Sequence, residues 1–166
     1  YRAHDRKLGR DVAIKVIKSP EATDLVRFRR EARLMAAVRT AHVVAVLDVD
    51  EDGVIPYIVC ELVRGETLVQ RQASAPLSVT ASLAVGADVA AALSAVHQHG
   101  VVHRDVKPEN IFLTSEGQTK LSDFGLAREC SSQTAITATG LIMGTPDFMA
   151  PEQVTGAPLT EATDQF

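Results

Sequence analysis

The run His103-Arg104-Asp105-Val106-Lys107-Pro108-Glu109-Asn110 gathers a carboxylate, an ammonium and an amide oxygen into one short segment. These groups suit phosphoryl transfer, which asks for a positioned hydroxyl, neutralised phosphate charge and metal ions. Asp105 can accept the proton of a substrate hydroxyl. Lys107 is a point charge for the phosphoryl group in transit. Asn110 offers a neutral oxygen to magnesium, a hard cation that prefers oxygen ligands. Pro108 fixes the backbone of a loop that must hold all three groups at once. A further carboxylate follows in Asp123-Phe124-Gly125, where Gly125 lets the chain swing because it has no Cβ.

The surrounding elements must bring these groups together. Residues 111–113 and 120–121 read as short strands around a turn at 114–117. That hairpin returns Asp123 to the side of Asn110, so two oxygen ligands converge. Upstream, residues 7–10 read as a turn and 11–17 as an alternating, β-branched strand. Ser19-Pro20-Glu21 reads as a helix start, and Leu25, Phe28, Ala32, Met35 and Val38 then recur at helical spacing. Residues 43–49 and 55–62 read as strands joined by an acidic turn, Asp50-Glu51-Asp52-Gly53. After Arg64-Gly65 the composition shifts. An Ala-rich helix runs from 79 to about 98, apolar on most faces and so expected to be buried, and Gly100 ends it. A segment rich in Ser and Thr spans 128–145. The plan is a small strand-rich unit, a connector near 61–65 and a helix-rich unit.

Four motifs in order, Val12-Ala13-Ile14-Lys15, His103 to Asn110, Asp123-Phe124-Gly125 and Ala150-Pro151-Glu152, resemble the signature set of the protein kinase superfamily. The resemblance covers essentially the whole chain. It implies an α+β, bilobal fold. Residues 1–61 correspond to a small β-rich N-lobe lacking the glycine-rich loop. Residues 62–166 correspond to the hinge and an incomplete helix-rich C-lobe, ending where Thr163-Asp164-Gln165-Phe166 resembles the opening of a large central helix. ATP and Mg2+ are the implied cofactors, with Asn110 and Asp123 on the metal and Lys15 on the phosphates. Glu31 shares the inward stripe with Phe28 and Met35, and the resemblance pairs it with Lys15. Ala13 and Phe112 are implied to sandwich the adenine, and backbone groups of Glu61 and Val63 to meet its edge. Cys60 then guards the back of the pocket.

Lys107-Pro108-Glu109 resembles the serine/threonine branch of that family. Gly144-Thr145-Pro146-Asp147-Phe148-Met149 resembles its substrate-docking loop, which implies that Thr145 hydrogen-bonds Asp105 and Lys107. Phe148 stands where the family usually has Tyr. The style of the whole is similar to bacterial eukaryotic-like kinases, which implies activating phosphates on Thr137 and Thr139, paired with Arg104 or Arg128. The implied partners are protein substrates bearing Ser or Thr, and a second kinase molecule in a dimer for autophosphorylation. Two rival readings differ in kind. A pseudokinase scaffold usually lacks a catalytic residue, whereas Lys15, Glu31, Asp105, Lys107, Asn110 and Asp123 are all present. An aminoglycoside-type small-molecule kinase has no need of a peptide-docking loop.

Composition narrows the classes further. Of 166 residues, 46 % are hydrophobic and 23 % charged, the profile of a folded domain. The net charge of -4 is spread over both signs, so no nucleic-acid partner is expected. No apolar run reads as long enough to span a bilayer. The kinase-like segment is expected in the cytoplasm, with any membrane anchor outside it. Cys60 and Cys130 are too few for a disulfide framework, and read as a core residue and an inert loop thiol. His97, His99 and His103 bring no converging metal-ligand set, and the resemblance makes His103 a prop for the catalytic loop. Without the glycine loop and later helices, the chain by itself is expected to be inactive.

Overall fold

The computed structural model describes residues 1–16, 22–53, 55–124 and 146–166. Two strands, β1 (Arg2–Asp5) and β2 (Arg10–Val16), form an antiparallel hairpin. The Asp5 carboxylate accepts from the amides of Lys7 (3.0 Å) and Leu8 (3.1 Å) to shape the turn. Helix α1 (Ala22–Ala37) follows, then β3 (Val46–Asp52) and β4 (Ile55–Glu61). The first sheet has the antiparallel order β1-β2-β4-β3. The helical stripe behaves as its spacing requires, with Phe28, Ala32, Met35 and Val38 all buried.

Two expectations for this region change. The acidic residues Asp50, Glu51 and Asp52 do not form a turn; they extend β3 and pair with Tyr57, Pro56 and Ile55. An edge strand with a solvent-facing side tolerates them there. The strand also begins at Val46 rather than Val43, which makes only a parallel bridge to Leu121.

A second sheet, in the order β5-β6-β7, comprises β5 (Gly65–Thr67), β6 (Ile111–Thr114) and β7 (Thr119–Leu121). Gly65 is required by close approach, since a Cβ there would fall 2.1 Å from the Leu113 carbonyl oxygen. Between β5 and β6 lie α2 (Leu68–Ser74) and α3 (Val79–His97). The sequence reading missed β5 and α2. Helix α2 opens with a reciprocal cap: Thr67 Oγ1 accepts from the Gln70 amide (3.3 Å) and Gln70 Oε1 from the Thr67 amide (2.9 Å).

Contrary to the expectation from its composition, helix α3 is buried along one side alone. Ala92, Leu93 and Val96 are buried, whereas Val79 and Leu83 are 78 % and 70 % exposed. With 19 residues and a mean hydropathy of 1.7 it also meets the length and composition of a membrane span, contrary to the reading of the bare sequence. Its buried residues nonetheless share one core with Phe28, Met35, Ile58 and Leu121, so it is built into this fold. That core crosses from the first sheet to the second. The crossing is pinned where the Val44 amide donates to Leu121 O (2.9 Å) and the Leu121 amide to His42 O (2.8 Å). Helix α4 (Pro151–Thr155) and a 3-10 turn (Glu161–Gln165) complete the described residues.

Candidate active site

A cavity of about 440 Å3 opens between the first sheet and the β6–β7 hairpin. Ala13, Lys15, Cys60, Glu61, Val63, Phe112 and Asp123 all line it, from four separate stretches of chain. Its walls are mostly apolar, and Lys15 and Asp123 supply charge at one side. Burial, followed by the charge of Asp123, pushes the Cys60 thiol up to about 11, so it stays protonated and unreactive. Glu61 does more than lend its backbone. Its Oε1 accepts from the Ala45 amide (2.9 Å) and from Lys120 Nζ (2.7 Å).

The loop after Val101 carries the second cluster. Pro108–Asn110 forms a 3-10 turn whose Asn110 amide donates to Lys107 O at 2.9 Å. That turn folds Asn110 back on Asp105. Asn110 Nδ2 donates to Asp105 O (2.8 Å) and to Asp105 Oδ2 (3.0 Å), and Lys107 Nζ lies 3.0 Å from the same Oδ2. Because Nδ2 is committed to Asp105, the amide oxygen of Asn110 is the end suited to a cation. The hairpin then does its expected work: the Ser122 amide and hydroxyl both donate to Asn110 O, at 2.8 and 3.0 Å. Asp123, the next residue, takes a left-handed backbone (φ 59) and aims its carboxylate at Lys15.

One expected pair is not formed. Lys15 Nζ contacts Asp123 Oδ1 at 2.9 Å, and Glu31 Oε1 instead lies 3.8 Å from Arg104 Nη2. Glu31 does lie on the inward side of α1, only 20 % exposed, but it meets Arg104 in the loop after Val101 rather than β2. Both acids find a cation, so electrostatics alone does not choose between the two arrangements.

His103 is a core prop in fact. It is fully buried, packs against Phe124 with ring centroids 4.5 Å apart and planes tilted by 55°, and accepts from the Asp105 amide through Nδ1 (3.2 Å). Its Nε2–H donates to Ser122 O at 2.9 Å. This neutral tautomer satisfies both ring nitrogens, and a second proton would face a donor. Burial, the largest influence, holds the imidazole below its ordinary range despite the Ser122 carbonyl and nearby carboxylates that oppose it. The sign follows. The fold keeps His103 neutral, so this stability is complete above about pH 6.5 and is lost as pH falls below it. Urea unfolding midpoints should therefore drop between neutral and mildly acidic pH, and His103→Gln should flatten that drop. An equal slope in the variant would contradict the assignment.

Two residues with no role in the sequence reading hold this loop in place. Asp164, buried, accepts from the amides of His103 (2.7 Å) and Arg104 (2.6 Å) and contacts His97 Nε2 at 2.7 Å. Gln153 donates through Nε2 to Arg104 O at 2.7 Å. His97 is thus spent on Asp164, and His99 Nδ1 on Ala95 O (2.9 Å). Glu152 Oε1 accepts from Thr163 Oγ1 at 2.8 Å. Gly125, Arg128, Cys130, Thr137, Thr139 and Thr145 lie outside the described residues, as does the helix start at 19–21.

Known proteins resemble this chain over nearly all of its length. The family model described as protein kinase domain matches residues 1–166. The serine/threonine-protein kinase PknL of Mycobacterium tuberculosis is 45 % identical over 161 residues, which is 93 % of this chain and 39 % of that protein. PknB of Mycobacterium leprae is 38 % identical over 172 residues, covering 99 % of this chain and 28 % of the relative. The chain thus spans well under half the length of these relatives. The crystal structure of the Mycobacterium tuberculosis PknI kinase domain superposes with a TM-score of 0.80 at 30 % identity, over 99 % of this chain and 63 % of that one.

Proposed function

The chain belongs to the protein kinase domain family, and from that premise we propose that it transfers the γ-phosphoryl group of ATP to Ser and Thr hydroxyls of proteins. The observation that carries this reading is the joint placement of Asp105, Lys107 and Asn110 beside a cavity edged by Lys15 and Asp123. Asp105 takes the hydroxyl proton and orients the oxygen for attack. Lys107, already 3.0 Å from that carboxylate, offsets the charge of the phosphoryl group. Lys15 holds the phosphates from the opposite side.

The donor set fits a hard cation. The side-chain oxygen of Asn110 accepts no hydrogen bond among the described residues, and the Asp123 carboxylate is 51 % exposed at the cavity. When bound by these two, Mg2+ supplies neutralisation of phosphate charge. Ala13 and Phe112 would enclose the adenine, with backbone groups of Glu61 and Val63 at its edge. Phosphates on Thr137 and Thr139 belong to the same proposal as the activating signal. So do a second kinase molecule as an autophosphorylation partner and a cytoplasmic setting.

Transfer from ATP to proteins and to small alcohols, compared in the full-length protein, tests the reading. Phosphate should reach proteins and not the alcohols, and Lys15→Met should cut the rate about a hundredfold by releasing the phosphates from register. Transfer to alcohols alone would favour a small-molecule kinase. An undiminished rate in the Lys15 variant would remove that residue from the machinery.

A further inference from the structure

We propose that Gln153 is a positioning residue for the transfer step, tying the helix after the docking loop to the peptide that carries Asp105. This rests on the kinase reading above. The side chain is used at both ends. Oε1 accepts from the Ala150 amide at 3.0 Å, and Nε2 donates to Arg104 O at 2.7 Å. Ala150 is fully buried, so its N–H must find its partner within the protein. Arg104 O belongs to the peptide plane that joins Arg104 to Asp105. Because that plane is rigid, a hold on the oxygen is a hold on the Asp105 nitrogen and Cα.

The backbone at this point needs holding. Arg104 has φ 69, a left-handed conformation that costs a non-glycine residue energy unless its surroundings fix it. Three contacts among the described residues help to fix it. Asp164 Oδ1 accepts the Arg104 N–H at 2.6 Å, His103 Nδ1 accepts the Asp105 N–H at 3.2 Å, and Gln153 takes the carbonyl between them. Of these, Gln153 alone comes from the segment leading out of the docking loop, at the third position of α4 (Pro151–Thr155). Among the described residues, the link from α4 to the peptide that carries Asp105 runs through this side-chain amide. The chemistry demands a donor and an acceptor on one side chain. A carboxylate would satisfy Ala150 but set a lone pair against Arg104 O, and a thioether would satisfy neither.

The test compares the full-length protein with Gln153→Glu and Gln153→Met. Both should lower kcat by about tenfold to a hundredfold, with KM for ATP unchanged because Gln153 does not line the nucleotide cavity. The two should then part with pH. As pH falls from about 8 to about 5, the Glu variant should recover toward the parent, because partial burial and the facing Arg104 carbonyl raise that carboxyl above its usual value of about 4.3 and its protonated form regains an O–H for Arg104 O; the Met variant should not recover. Hydrogen–deuterium exchange over residues 101–110 should quicken in both. Parental kcat in the two variants would overturn the proposal. So would losses in kcat, ATP affinity and melting temperature that move together with the same pH profile in both. If the parent transfers no phosphate, the kinase reading fails on its own. The exchange arm then still decides the tie, and unchanged exchange in both variants refutes it.

Discussion

Asp105→Asn should slow single-turnover phosphoryl transfer by about 10^2 to 10^4-fold while leaving nucleotide affinity nearly unchanged. The substitution keeps the side chain's size and removes its charge and its capacity to accept a proton. Asp105 Oδ2 now receives both Asn110 Nδ2 and Lys107 Nζ at 3.0 Å, so the carboxylate is already oriented by two donors. It is absent from the lining of the cavity proposed to hold the nucleotide, whose apolar walls include Ala13 of β2, Ile58 of β4 and Phe112 of β6. Binding and chemistry should therefore separate in this variant. Rapid-quench measurement with labelled ATP reads the chemical step directly. A rate close to the parent's would assign the base to another group.

Asp164→Ala should produce the largest loss of stability, about 3–5 kcal/mol, the usual cost of removing one member of a buried charged network. The Asp164 carboxylate has no exposure and serves two backbone amides and His97 at distances of 2.6 to 2.7 Å. Alanine would leave the amides of His103 and Arg104 buried without an acceptor, at about 1–3 kcal/mol each. Asp164→Asn keeps one acceptor oxygen and should lie between the two. Urea unfolding of the three proteins should rank them parent, Asn, Ala. A loss under about 1 kcal/mol in the Ala variant would show that the loop is held by something else.

The grouping of Asp105, Lys107 and Asn110 was legible in the sequence because these residues are nearly contiguous. Asp105, Lys107 and Asn110 lie within one turn of chain, and a short hairpin carries the message to Asp123. The residues that hold this loop were not legible for the opposite reason. Asp164 is 61 positions from His103 and Gln153 is 49 from Arg104, and nothing local marks either as an acceptor or donor for a distant backbone. A signal for α2 was present in Thr67 followed by Gln70, a capping pair that went unread. Helix α3 misled because an Ala-rich helix has weak amphipathic contrast, so its exposed Val79 and Leu83 look like core. The Glu31 partner depends on the pose of α1 against the loop, a tertiary property that the spacing of Phe28 and Met35 does not contain.

Phosphoamino-acid analysis of a protein substrate, after incubation of the full-length protein with γ-labelled ATP and Mg2+, tests the central claim most directly. Label should appear on Ser and Thr with the parent and disappear with Asp105→Asn. Bound nucleotide with no label on any protein, or equal label with the Asp105 variant, would contradict it.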